Sequence, residues 1–109
     1  MTNVVSNAVI TAYCACKLCC GPSAPQPTAS GVMPVQGVTI AGPRSIPLGT
    51  KVKVAGMTNI FVLQDRTAKR FDGRWDIYLV SHKAALRFGK HTNTVTIISY
   101  GRNTRRENR

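Results

Sequence analysis

Apolar and polar positions along this chain repeat mostly with a period of two, the signature of half-buried strands. The clearest run is 50–55, where Val52 and Val54 face one way and Lys51 and Lys53 the other. Residues 9–13 and 38–41 are short β-former runs, and 60–65 is apolar on both faces, as a buried strand is. Residues 75–80 and 94–99 complete six predicted strands. One stretch breaks the period. Ser81 has the chemistry of a helix N-cap, Ala84, Ala85 and Phe88 form a stripe over 82–88, and Gly89 ends it. Gly42-Pro43, the 47–49 turn and 56–59 punctuate the strands. Residues 14–31 form a loop holding all four cysteines, with a Pro/Ser/Ala-rich tip at 22–27. Six strands, one short helix and no βαβ alternation predict a mainly β fold, a small closed or nearly closed barrel.

Length adds that there is one domain: 109 residues hold one modest core. The expected layout is an N-terminal extension at 1–8, the barrel at 9–100 and a basic flexible tail at 101–109. Aromatic content is 6%, so the core must rest on Val, Ile, Leu and Ala. No stretch approaches the roughly 20 apolar residues of a membrane span. Residues 1–8 carry no basic run ahead of an apolar core, so no signal peptide is visible. The net charge is +11, from fifteen Lys and Arg against four acids. Such a charge attracts polyanions: nucleic acid, an anionic membrane surface or an anionic cell-wall polymer. The plain alternative is a solubilising tail, since Arg102, Arg105, Arg106 and Arg109 lie in the last eight residues. No aromatic-interleaved basic motif supports sequence-specific nucleic-acid reading, which leaves non-specific polyanion binding.

Against that charge, the few acids stand out. Asp65 ends one predicted strand and Asp76 opens the next, eleven residues on. Neighbouring strands would bring both carboxylates to one rim. Apolar neighbours and a second carboxylate raise a carboxyl pKa, as a glycosidic general acid requires, while nearby Arg and Lys lower it. The plain alternative is ion pairing with Lys69, Arg70 and Arg74. Asp72, in Asp72-Gly73, reads as a turn residue.

Cys14, Cys16, Cys19 and Cys20 fall within seven residues. Thiolate metal binding, disulfides clamping the loop, and buried thiols all fit that pattern. His82, in the first turn of the helix, reads as packing or capping, and His91 as an exposed loop residue.

The phrases around these residues resemble the 3D-domain family, named for three aspartates. Thr11-Ala12-Tyr13, Cys19-Cys20-Gly21 and Thr28-Ala29-Ser30-Gly31 look like its opening. Ile46-Pro47-Leu48-Gly49-Thr50-Lys51-Val52 looks like its second block, and Asp65-Arg66 with Arg74-Trp75-Asp76-Ile77-Tyr78 like its third. Residues 81–89 and 95–98 look like its end. The resemblance covers about residues 9–99. It implies a six-stranded double-psi β-barrel, similar to the catalytic barrel of membrane-bound lytic transglycosylase A and of stationary-phase muralytic proteins. It implies cleavage of the bond between N-acetylmuramic acid and N-acetylglucosamine in peptidoglycan, with Asp76 as general acid and base and Asp65 in support. Thr11, Tyr13 and Thr28 would bind sugar hydroxyls or acetamides. No cofactor is implied, and a monomer is expected. The implied location is the cell wall or periplasm, reached by another route such as a phage apparatus. Two features depart from the family: Gly42 stands nearest the place of its first aspartate, and Thr67-Ala68-Lys69-Arg70-Phe71-Asp72 replaces a glycine-rich segment. An inactive wall-binding or structural barrel is therefore the alternative to an enzyme.

Overall fold

The computed structural model describes residues 3–16 and 26–102. Cys19, Cys20, most of the tip expected at 22–27 and most of the basic tail lie outside the described residues.

Among the described residues, six strands and one α-helix account for most of the regular structure. They are β1 (Asn3–Tyr13), β2 (Thr39–Gly42), β3 (Lys51–Val54), β4 (Phe61–Arg66), β5 (Trp75–Tyr78), α1 (His82–Phe88) and β6 (His91–Ser99). A single 3-10 turn, Lys69–Phe71, lies between β4 and β5. The strands close into a barrel in the order β1-β5-β2-β4-β3-β6. Two parallel pairs, β1/β5 and β2/β4, are joined through the antiparallel pair β2/β5. Strands β3 and β6 complete the ring with antiparallel pairing. The fold is the six-stranded double-psi barrel with one short helix.

Alternation fills the interior. Lys51 and Lys53 are exposed while Val52 and Val54 are buried. Ile10, Ile40, Phe61, Leu63, Trp75 and Ile77 form the centre of the core. Trp75 and Phe61 supply most of its aromatic volume and are each 1% exposed. Buried hydroxyls are satisfied locally, as buried polar groups must be. Thr39 Oγ1 donates to Gln64 Oε1 at 2.6 Å, and Thr50 Oγ1 donates to the Pro47 carbonyl at 2.7 Å.

The helix has the predicted bounds and caps. Ser81 Oγ accepts from the Ala84 N–H at 3.1 Å, and Gly89 follows with φ of 70°. Strand β1 starts well before the predicted residue 9: Asn3, Val4 and Val5 pair with Ile97, Thr96 and Val95 of β6. Between Val5 and Ala8 the register shifts, and Asn7 takes a φ of 55°. This bulge breaks the alternation that marks a strand in sequence, and Asn is among the residues that tolerate positive φ. It hid the first half of β1.

Candidate active site

One row of residues crosses four neighbouring strands. Thr11 on β1 is level with Asp76 on β5, Asp76 with Ala41 on β2, and Ala41 with Asp65 on β4. Thr11 and Asp76 alternate with the core residues Ile10, Trp75 and Ile77, so they occupy the face away from the core. Asp65 reaches that row through a register shift. Ile40 pairs with Leu63, but Ala41 pairs with Asp65, leaving Gln64 as the extra residue of a bulge. Bulges re-aim side chains beside functional sites. Here an unbulged strand would set Gln64, not Asp65, beside Ala41.

The two carboxylates have unlike surroundings. Asp65 is tied by three donors: the Tyr13 hydroxyl at 3.1 Å, the Ala29 N–H at 3.0 Å and its neighbour Arg66 N–H at 2.9 Å. Tyr13 is steadied by an edge-on contact with Tyr78, ring centroids 5.5 Å apart. Asp76 accepts a hydrogen bond from Thr11 Oγ1 at 3.0 Å. Burial pushes the Asp76 carboxyl up to about 6, and the charge of Asp65 pushes the same way. The Thr11 hydrogen bond and the Arg74 charge oppose the rise and lose to burial.

Both aspartates open onto a cleft of about 430 Å³. Thr11, Tyr13 and Arg66 line it from the strands, and Thr67, Arg70, Phe71 and Arg74 line it from the wall loop between β4 and β5. Arg70 and Arg74 lie over the Phe71 ring, 4.8 and 4.4 Å from its centroid. Among the described residues the one ion pair is Arg44–Asp72, at 3.3 Å. Arg44 also donates to the Thr67 carbonyl at 2.9 Å, so these contacts pin the wall loop to the turn after β2. Asp72 is spent on that anchor and does not line the cleft.

Of the residues singled out in the sequence, Thr11, Tyr13, Asp65 and Asp76 come together. Thr28 sits apart. It is buried in its own turn, where Oγ1 donates to the Val32 carbonyl at 2.7 Å and meets Ser30 Oγ at 2.9 Å. Its turn nonetheless presents the Ala29 N–H to Asp65. Arg66 has a part that the sequence did not announce: its guanidinium bonds the Pro43 and Ile46 carbonyls at 2.6 and 2.7 Å. The signal was present in the Asp65-Arg66 pair, whose second member bolts β4 to the 46–49 block. His91, exposed as expected, packs edge-on against Phe88 and bonds its carbonyl.

A closed double-psi barrel with a shielded acid and a fixed carboxylate on one outer row defines the class of the fold. Within that class the barrel is MltA-like. It superposes on a crystal structure of MltA from Escherichia coli with a TM-score of 0.54 at 25% identity, over 72% of this chain and 28% of MltA. A second MltA structure, described as revealing a unique lytic transglycosylase fold, gives the same TM-score and identity over 72% and 29%. An alanine variant of the same lytic transglycosylase in an apo form gives 0.54 at 23% identity, over 74% and 29%. The chain thus spans under a third of the MltA length. No family model matches the sequence, and no curated protein matches it. No helix among the described residues is long and apolar enough to cross a membrane.

Proposed function

We propose that this chain is a lytic transglycosylase acting on peptidoglycan glycan strands, with Asp76 as its acid and base. The observation that carries the reading is Asp76 itself, a carboxyl raised to about 6 and facing a cleft beside a second, firmly held carboxylate. Likeness to MltA supports that reaction class.

Two proton transfers through one carboxyl group suffice. Protonated Asp76 donates to the glycosidic oxygen between N-acetylmuramic acid and N-acetylglucosamine as the bond to the muramic C1 breaks. The muramic acid's own primary hydroxyl then attacks C1, and the Asp76 carboxylate takes its proton. An anhydro ring closes, no water is consumed, and Asp76 returns to its acid form. Asp65 supports the positive charge that develops at C1, and its three hydrogen bonds hold it for that task. Arg66, Arg70 and Arg74 make the cleft wall attractive to the lactyl and peptide carboxylates of the substrate. That substrate places the site of action in a cell wall or periplasm.

The experiment is digestion of purified sacculi followed by mass spectrometry. Anhydromuropeptides are expected from the wild-type chain and not from Asp76→Asn. Equal release from both ends the enzymatic reading.

Gly42 favours a second reading, a barrel that binds glycan without turning it over. A Cβ there would lie 2.7 Å from Leu63 Cδ1 and 3.0 Å from the Trp75 ring, so no third carboxylate fits at that place. Retention on insoluble sacculi without anhydro products would select this reading.

A further inference from the structure

A second chemical cluster lies where the loop after β1 meets the start of α1. Cys14 follows directly on β1 and is fully buried, Cys16 stands two residues on and is half-buried, and His82 opens the helix. The two Sγ atoms are 2.8 Å apart, and His82 Nδ1 is 3.4 Å from each. Three metal-ligating side chains from two segments, 66 residues or more apart in sequence, thus present their donor atoms within 4.8 Å of one another.

We propose that Cys14, Cys16 and His82 bind a thiolate-preferring divalent metal ion of the zinc class. The donor set is soft, two sulfurs and an imidazole nitrogen with no carboxylate, which selects zinc over calcium or magnesium. The distances fit a tetrahedral ion with one adjustment. With Zn–S near 2.3 Å and Zn–N near 2.0–2.1 Å, tetrahedral angles require about 3.6 Å between sulfur and nitrogen and about 3.8 Å between sulfurs. Both sulfur–nitrogen separations are already close to that. The sulfurs must part by about 1 Å to admit the ion at those bond lengths. Cys16, half-exposed on the loop, is the side chain with room to move. His82 is what separates this reading from a cysteine-only one. A disulfide between neighbouring thiols needs no imidazole, yet Nδ1 is aimed equally at both sulfurs.

The ion's place in the fold gives it a structural task. It joins the end of β1 to α1, one residue beyond the Tyr13 that holds Asp65. Binding would tighten the strand that carries both Thr11 and Tyr13. The site lies outside the cleft, and its occupancy is readable without any glycan.

The test uses the full chain, purified with a phosphine reductant and stripped by a chelator. Cobalt(II) titration should saturate at one equivalent with a near-ultraviolet thiolate charge-transfer band and the strong visible bands of a tetrahedral site. Zinc should displace the cobalt and raise the melting temperature. Cys14→Ser and Cys16→Ser should each remove most of the charge-transfer intensity, and His82→Ala should weaken cobalt affinity by an order of magnitude or more. No thiolate band in the reduced wild-type protein overturns the proposal. So does a His82→Ala protein with unchanged spectrum and affinity, or a Cys14→Ser/Cys16→Ser double variant that keeps the full spectrum through Cys19 and Cys20.

Discussion

At the residue scale the chemistry turns on a conflict at Asp76 between shielding and charge. Its folded pKa, about 6, stands above the 3.8 of an unperturbed aspartate. The folded state therefore binds more protons than the unfolded state between about pH 4 and 6, and stability falls as pH rises through that window. At neutral pH the charged, shielded carboxylate costs about 2 kcal/mol, allowing for its partial contact with water. Asp76→Asn should then abolish release of anhydro products, raise stability at pH 7.5 by about 1–2 kcal/mol, and flatten the pH dependence of urea unfolding. Wild-type kcat/KM should hold level below about pH 6 and fall about tenfold per unit above it, as the acid form is lost. Tyr13→Phe removes one of the three ties on Asp65 and should lower kcat by about tenfold while binding to sacculi changes little, since each such bond contributes about 1–1.5 kcal/mol. The two aspartates were legible in the sequence because short phrases flank them at a fixed spacing. Thr28 was misleading for the same reason: a phrase marks a position, not whether its side chain or its neighbour's N–H reaches the cleft.

At the element scale the helix was legible to the residue, because its caps are local chemistry. Ser81→Ala deletes the bond to the Ala84 N–H and should cost about 1 kcal/mol in urea unfolding, with little change in the cleft. Strands were legible in their middles and not at their irregularities. The bulge near Asn7 and the one at Gln64 depend on what the partner strand does, and a partner is not written into a local pattern. The second of these sets the site, since it brings Asp65 level with Ala41 and Asp76. Gly42, the last residue of β2, marks how tightly that row is backed. Gly42→Ala should destabilise by about 1–3 kcal/mol through overlap with Leu63 and Trp75, and Gly42→Asp by at least as much with no gain in cleavage.

At the scale of the molecule the ring closes on itself, so no strand presents an unpaired edge among the described residues. Every strand holds two neighbours, and unfolding should be a single event. Trp75, the only tryptophan, reports on the centre of the barrel. Its fluorescence and the far-ultraviolet circular dichroism should trace coincident urea transitions with one midpoint. The barrel was legible as a class from strand count and turn spacing, whereas the strand order was not, because parallel pairs such as β1/β5 join segments some 65 residues apart. The crowding behind Gly42 closes that position to larger side chains. An acid at this place would need room that Leu63 and Trp75 now fill, and shrinking either one hollows the barrel. Single substitutions in that direction thus lose stability first. The wall loop offers more room: the Lys69–Phe71 turn buries no residue, so a carboxylate placed there leaves the core packing intact.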